Sequence, residues 1–426
     1  MAEASAHGPG AKAMGRPLLN RGFVSLALTQ FCGAANDHIL KQVLTLAVAA
    51  GGVWDGRLGE GGQSYAVYFL ALPFLLFSGF AGQLADGYSK ARMAFWVKVL
   101  EVGIGVVVFA GFWLQNVALC LVAMFLLGSH SAFYGPAKYG MIPELVQGGE
   151  LSRANGLINM LTNLAVLAGT VVAAIVYEHY AGEGGVPRLL WLPGAAVMGV
   201  ALAGLAAVRM LPALPAQSPG LRLRWDVVTP YVVALREMSR TPVLRVVVGW
   251  SLFYLIASMV LLILSDYRDV LGVSSARAAL LMAVLGISIA VGSVVAGWIS
   301  GHQIRPGLVP VGTVALTVIF VLLARAPRDF GVVAGYLAAM GLFCGFYVIP
   351  LQALLQRLSP ADARGRFMGT ANAISFATTI LGAALFQAAK LQGVASQQIF
   401  YIAALFAAAG TAFYYFLLPP HVRANQ

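Results

Sequence analysis

Long apolar segments recur along the whole chain, and this pattern constrains the fold more than any other feature. The segments cover residues 22–50, 64–84, 93–114, 117–138, 155–177, 189–211, 243–265, 278–300, 307–324, 331–353, 367–389 and 398–418. A membrane-spanning helix needs about 20 apolar residues. Hydrophobic residues make up 60% of the 426 residues and charged residues only 10%, so a soluble domain could not keep this much apolar surface from water. The sequence therefore predicts an all-α membrane protein with twelve transmembrane helices.

The longest polar interval, residues 212–242, lies in the middle of the chain and holds several prolines and four arginines. This composition is typical of a linker between two folding units. The sequence thus predicts two six-helix bundles joined by a cytoplasmic linker. The predicted units are an N-terminal arm at 1–21, a first bundle at 22–211, the linker at 212–242, a second bundle at 243–418 and a cytoplasmic tail at 419–426.

The two halves resemble each other when the chain is shifted by 213 residues. The shift aligns Gly128 with Gly341, Phe133 with Phe346, Tyr134 with Tyr347, Arg153 with Arg366, Gly156 with Gly369, Asn159 with Asn372 and Gly169 with Gly382. Parallel repeats of this kind are one of the plans on which transporters are built. The two bundles are therefore predicted to be pseudo-symmetric.

The net charge of +11 fits a membrane protein better than a nucleic-acid-binding one. With the N-terminus inside, the inner loops and helix ends hold 18 Lys or Arg residues and the outer side holds 7. Cytoplasmic loops collect Lys and Arg, and anionic membrane lipids attract them. We therefore expect both termini in the cytoplasm and membrane lipids, not nucleic acid, as the partners of these charges.

No motif for catalysis or for a cofactor is found. The chain lacks a Walker A loop, an HExxH motif and a GxSxG motif. The three cysteines, Cys32, Cys120 and Cys344, all lie in apolar segments, where neither a disulfide framework nor a metal site is expected. The protein is therefore expected not to be an enzyme and to hold no cofactor or metal.

The loop after the second apolar segment reads GQLADGYSKAR. It resembles the signature loop of the major facilitator superfamily, although Ser89 and Ala91 depart from the usual residues. A glycine allows close helix approach, and an acid followed by bases can hold helix ends through charge pairs and helix dipoles. The resemblance implies the major facilitator fold and a conformational switch formed by Gly82, Asp86, Lys90 and Arg92.

Asp37 lies near the middle of the first apolar segment. A charge at the centre of a bilayer costs about 2.5–3.5 kcal/mol on insertion scales, so it indicates a function such as substrate or proton binding. Lys41 follows at i+4 and could pair with Asp37. A purely structural ion pair between these two residues is the alternative interpretation.

Polar residues at helical spacing mark two further helix faces. His130, Tyr134 and Lys138 are four residues apart on the fourth segment, where Gly135 and Pro136 are expected to loosen the helix. A packing role for His130 and snorkelling for Lys138 are the alternatives. On the fifth segment, Asn159 belongs to a stripe of asparagines that could bind substrate or join helices by hydrogen bonds.

The stretches GAANDHILK, FYGPAKYGMIPEL and RANGLINM together resemble the bacterial lysophospholipid transporter (LplT-type) family. The resemblance implies an inner-membrane flippase. It would bring lysophosphatidylethanolamine and lysophosphatidylglycerol to the cytoplasmic leaflet, where a separate acyltransferase reacylates them. Asp37 and Lys138 match the family's charged positions. The resemblance also leads us to expect a basic group that faces the headgroup on the seventh segment. In this chain, however, no basic residue lies between Arg245 and Arg268.

The second half has no ionisable residue at mid-membrane depth. A lysophospholipid has a charged head and an acyl tail, and burying the tail is worth about 0.8 kcal/mol per CH₂. We therefore predict that Asp37, Lys41, His130, Tyr134, Lys138 and Asn159 bind the head and that Tyr254, Phe343, Phe346 and Tyr347 face the tail. An apolar packing scaffold in the second half is the alternative, and a proton-coupled exporter of drugs or small amphiphiles is the alternative function.

Overall fold

A computed structural model of the chain describes residues 17–49, 51–58, 63–182 and 186–416. Most of the predicted N-terminal arm (1–21) and the whole of the predicted tail (419–426) lie outside these residues. The helices are α1 (Arg21–Val48), α2 (Gln63–Gly87), α3 (Lys90–Trp113), α4 (Val117–Leu145), α5 (Leu151–Ala181), α6 (Leu192–Val208), α7 (Thr229–Ser239), α8 (Val243–Ser265), α9 (Tyr267–Leu271), α10 (Ser275–Ser300), α11 (Leu308–Arg325), α12 (Phe330–Leu358), α13 (Arg364–Leu391) and α14 (Phe400–Phe416). All regular structure in the described part of the chain is helical.

Ten of the described helices are long and apolar enough to cross a membrane. Two more, the 28-residue α1 and the 17-residue α6, pack among them. Polar residues within α1 lower its mean hydropathy. These long helices coincide with the twelve predicted segments, so the predicted all-α membrane fold is confirmed. The short α7 and α9 were not predicted, because neither presents an apolar run of membrane length.

Helix α4 continues unbroken through Pro136 and Pro143 to Leu145, although the sequence led us to expect loosening at Gly135 and Pro136. Proline is tolerated in a membrane helix where neighbouring helices and local adjustments satisfy the freed carbonyl groups. The continuation keeps the positions of His130 and Lys138 on one face of one helix.

The glycines that the repeat aligns make equivalent helix crossings in the two halves. A methyl group on Gly156 of α5 would lie 2.5 Å from the Ser293 carbonyl oxygen of α10, and one on Gly369 of α13 would overlap the Ser78 carbonyl group of α2. Each crossing joins one half to the other. The close backbone approach that glycine allows is thus used symmetrically at the interface.

The halves are bonded together on the side where the linker lies, which we call the linker side. There, Asn155 of α5 and Gln356 of α12 exchange two amide hydrogen bonds of 2.8 and 2.9 Å. Deeper in the molecule, the rings of Phe74 on α2 and Phe376 on α13 stack with centroids 4.0 Å apart. The interface between the halves is therefore closed from the linker side to the middle of the helices.

Candidate functional site

A buried cluster of ionisable side chains joins three helices in the first half. Glu101 of α3 accepts a 2.8 Å hydrogen bond from Asn36 of α1, and its other oxygen lies 2.5 Å from Lys98 Nζ. His130 Nε2 of α4 is 3.2 Å from the same oxygen. The Lys98 and Glu101 side chains are fully buried. Because the Lys98 ammonium group, the His130 ring and an amide surround Glu101, its charge is compensated despite the burial.

Asp37 lies beside this cluster but is less fully bonded. One carboxylate oxygen accepts a 2.7 Å hydrogen bond from Ser131 Oγ, and the other has no hydrogen-bond partner among the described residues. Ser131 Oγ is also 3.5 Å from His130 Nδ1, so Ser131 links Asp37 to the cluster. Lys41 forms no ion pair with Asp37 in the part of the chain that the structure describes. The pairing that the sequence allowed is therefore not formed here.

The face of α4 that carries His130, Tyr134 and Lys138 runs from this cluster toward the linker side. The His130 and Tyr134 rings are parallel, with centroids 6.4 Å apart. Lys138 is only 8% exposed, and its Nζ lies 4.2 Å from the centre of the Tyr139 ring. No carboxylate pairs with Lys138 among the described residues. A buried ammonium group that only an aromatic face stabilises can accept an anionic ligand.

The second half presents an aromatic surface next to this lysine. The Trp250 ring of α8 meets Tyr139 edge to face at 6.4 Å and Tyr254 at 5.1 Å. Trp250 Nε1 is buried and has no hydrogen-bond partner among the described residues. Sequence reasoning missed Trp250 as a functional candidate, although the 213-residue shift aligns it with Asp37.

Other predicted site residues take part in packing. Asn159 donates a 2.7 Å hydrogen bond to Ser293 Oγ and so joins α5 to α10, as the structural alternative for the asparagine stripe anticipated. Tyr347 is 1% exposed and donates to the Gly249 carbonyl oxygen at 2.7 Å. Phe343 and Phe346 are half-buried, with ring centroids 5.4 Å apart.

Within the loop that resembles the superfamily signature, Asp86 reaches the other half of the chain. Its two carboxylate oxygens accept hydrogen bonds from the backbone N–H groups of Gly365 at 2.6 Å and Arg366 at 2.9 Å. These groups belong to the first turn of α13, where a negative charge is stabilised by the helix dipole. A methyl group on Gly82 would lie 2.6 Å from the Gly365 carbonyl oxygen, so this contact needs glycine.

The two basic residues of this loop, Lys90 and Arg92, have different surroundings. Lys90 is buried and pairs with Glu144 of α4 at 2.8 Å. The side chain of Arg92 is exposed and forms no ion pair within the described ranges. Arg366, which the repeat aligned with Arg153, lies 3.4 Å from Glu237 of α7. Of the four predicted switch residues, the structure thus brings Gly82 and Asp86 to the interface between the halves.

In sequence, residues 26–383 match the profile of the Major Facilitator Superfamily. The chain is 29% identical over 368 residues to the lysophospholipid transporter LplT of Cronobacter sakazakii, with 84% of each chain covered. It is 28% identical over 364 residues to LplT of Klebsiella pneumoniae, again with 84% of each chain covered.

In fold, the chain is similar to several solved transporters. The human organic anion transporter MFSD10 (TETRAN) aligns with a TM-score of 0.76 at 16% identity, covering 94% of this chain and all of that one. FucP in its outward conformation aligns with a TM-score of 0.74 at 12% identity, covering 92% of this chain and 98% of FucP. Identities this low show a shared fold and nothing finer.

Proposed function

Because the chain belongs to the Major Facilitator Superfamily, we propose that it is a lysophospholipid transporter that works by alternating access. The protein is a multi-pass membrane transporter and not an enzyme. The substrate class rests on the similarity to the LplT transporters and on the site described above.

The observation that carries this proposal is the environment of the Lys138 ammonium group. Its ammonium group is buried and has no carboxylate partner among the described residues, and it lies over the ring of Tyr139, which contacts Trp250 of the other half. A phosphate group would supply the missing negative charge and hydrogen bonds. Asp37 contacts Ser131, which precedes Lys138 by about two turns of α4, and it keeps one carboxylate oxygen free for a cationic or hydrogen-bond-donating headgroup.

The second half supports a substrate with an apolar tail. Trp250, Tyr254, Phe343 and Phe346 supply aromatic surface, and α8 carries no acidic or basic side chain between Arg245 and its end at Ser265. Burial of an acyl chain against such a surface is favourable by about 0.8 kcal/mol per CH₂. In the proposed complex, the first half therefore binds the head and the second half faces the tail.

The proposed location is the bacterial inner membrane, with both termini and the linker in the cytoplasm. The count of 18 inner against 7 outer Lys and Arg residues supports this orientation. Transport would bring lysophospholipid to the cytoplasmic leaflet. Reacylation there needs a separate acyltransferase, which is the partner we propose.

Uptake of labelled lysophosphatidylethanolamine into proteoliposomes tests the proposal. The wild-type protein should accelerate uptake over empty vesicles, and Lys138→Ala should lower it about tenfold or more, as expected for loss of a buried charged hydrogen bond. Lys390→Ala is the matched control, because Lys390 pairs with Asp266 at the opposite end of the bundle. No uptake by the wild-type protein, or equal loss in both variants, would refute the proposal.

A proton-coupled exporter of small amphiphiles is the second candidate. The observation that favours it is the contact of Asp37 with Ser131, and through it with His130, because intramembrane carboxylates and histidines form proton relays. The same vesicles with a pH gradient distinguish the two functions. Export of a cationic dye that depends on the gradient, without lysolipid uptake, would favour the exporter.

A further inference from the structure

The linker does not leave the helical bundle but runs along α2. Ser218 donates its backbone N–H to the Asp86 carbonyl oxygen near the end of α2, at 2.9 Å. Further along, Gln83 and Arg224 exchange two hydrogen bonds of 2.9 and 3.1 Å through the Gln83 side chain and the Arg224 backbone. Successive linker residues therefore contact successively earlier residues of α2.

The linker continues inward beyond this point. The Trp225 ring lies 5.1 Å from that of Phe80, and the Tyr231 hydroxyl accepts from Gly79 N–H at 2.9 Å and donates to the Leu75 carbonyl oxygen at 2.7 Å. At about 1.5 Å rise per residue, Leu75 lies about 18 Å before the Gly87 end of α2. The membrane-spanning part of α2 is Tyr68–Gly87, so the start of α7 lies at the depth of this apolar span.

Large apolar side chains of the linker are exposed at this depth. Trp225 is 80% exposed, Val228 66% and Val232 56%. On the surface of a soluble domain they would be an apolar patch in water. At the level of Phe80 and Gly79, however, they lie beside the apolar span of α2.

Basic side chains flank these apolar ones. Arg222, Arg224, Arg236 and Arg240 are exposed, and their guanidinium groups form no ion pairs among the described residues. From Val228, which directly precedes α7, Val232 and Arg236 follow at spacings of four, so one outward face changes from apolar to basic. The basic end of this face lies toward the start of α8, which is at the linker side.

We propose that residues 222–240 form an interfacial segment that binds anionic phospholipid in the linker-side leaflet. Trp225, Val228 and Val232 lie among the acyl chains, and the four arginines contact the phosphate groups. This arrangement follows the pattern of amphipathic helices at membrane surfaces, where apolar area and basic residues act together. The site is separate from the candidate site around Asp37 and Lys138 and goes beyond the proposed transport of lysophospholipid.

The depth of the segment can be measured by spin labelling of the full chain in vesicles. A nitroxide on Val228→Cys, or on Val232→Cys as a second position, is placed in a background without Cys32, Cys120 and Cys344. Both labels should be accessible to oxygen and shielded from a water-soluble nickel chelate. Pro219→Cys, in the exposed part of the linker, is the control and should show the reverse. Access of the nickel chelate to the Val228 and Val232 labels would overturn the proposal and indicate a face for a soluble partner.

The charge requirement needs a second measurement, made with a diacyl lipid that is not the transported substrate. The fraction of spin-labelled phosphatidylglycerol immobilised by the protein is compared with that of phosphatidylcholine. Replacing Arg222, Arg224, Arg236 and Arg240 together by Gln should reduce the preference for phosphatidylglycerol about tenfold. Replacing Arg268, Arg277 and Arg328 at the opposite ends of the helices should leave it unchanged. An unchanged preference in the linker variant would overturn the proposal even if lysolipid uptake persists.

Discussion

Two acids within the membrane-spanning helices of the first half differ in how completely they are bonded. Glu101 is surrounded by Lys98, His130 and Asn36, whereas Asp37 has one oxygen without a partner among the described residues. Buried polar atoms in folded proteins are nearly always hydrogen-bonded, so an exception marks a position that a ligand or a proton can occupy. Glu101 thus organises three helices, while Asp37 is available for function.

The sequence identified Asp37 because a charge within an apolar segment is conspicuous. It could not identify Ser131, Trp250 or Tyr231 as important. These are ordinary residue types for a membrane helix or a linker, and their roles arise from which helix they meet. Lys41 shows the converse: its i+4 spacing allowed a pair with Asp37, but spacing permits contacts without requiring them.

Asp37→Asn is expected to retain the fold and to lose most lysolipid uptake. The amide is nearly isosteric, can still accept from Ser131 and removes the cost of a buried charge. Thermal unfolding should therefore stay within a few degrees of the wild type or rise, while uptake falls about tenfold or more. Asp269→Asn, at an exposed position of α9, is the control. Normal uptake by Asp37→Asn would show that the carboxylate is dispensable.

At the scale of elements, the start of α13 is completed by a side chain from the other half of the molecule. The Asp86 carboxylate bonds two backbone N–H groups of the first turn. The helices themselves could be predicted, because each is an apolar run of membrane length. The capping partner could not, because it is 279 residues away from Gly365 and the local sequence of α13 does not indicate it.

Asp86→Ala is expected to weaken closure on the linker side. Loss of a capping side chain costs about 0.5–2 kcal/mol, so the population of linker-side-open molecules should rise about 2- to 30-fold. Distances between spin labels on Tyr88 and Arg305, exposed on opposite halves of the linker side, report this population. Asp362→Ala, an exposed acid in the α12–α13 connection, should leave the distances unchanged. Identical distributions in both variants would contradict the assigned role of Asp86.

At the scale of the whole molecule, the two halves have equivalent helix crossings but different buried side chains. The glycines of the repeat recur at equivalent contacts, yet the buried ionisable cluster occurs in the first half alone among the described residues. The symmetry of the backbone could be predicted from the aligned glycines. The path of the linker along α2 could not, because its prolines and arginines are equally compatible with a free loop in water.

This asymmetry predicts how transport depends on the length of the acyl chain. Phe343→Ala removes apolar area from the second half, so binding of long-chain lysolipids should weaken more than binding of short-chain ones. Lys138→Ala should weaken both alike, because it changes only the contact with the head. Inhibition of uptake by a series of unlabelled lysolipids measures both dependences. The same chain-length dependence in both variants would contradict the proposal that the first half binds the head and the second half faces the tail.

The orientation of the molecule gives a further prediction. Pro219→Cys in the linker and Gln392→Cys between α13 and α14, each in a background without native cysteines, should react from opposite sides of the membrane. An impermeant maleimide added to intact cells should label Gln392→Cys and spare Pro219→Cys. Labelling of Pro219→Cys from outside would reverse the proposed orientation, and with it the proposed direction of transport.

The hydroxyl of Tyr231 lies between the Gly79 N–H and the Leu75 carbonyl group, which bond each other in a regular helix. This contact can form only late in the synthesis of the chain. Tyr231 follows Gly79 by 152 residues, so at about 5–20 residues per second it leaves the ribosome roughly 8–30 s later. During that interval α2 can close its own backbone bond within the bilayer. The two bonds between Tyr231 and α2 therefore form only after α2 has been made, when the newly made linker reaches it.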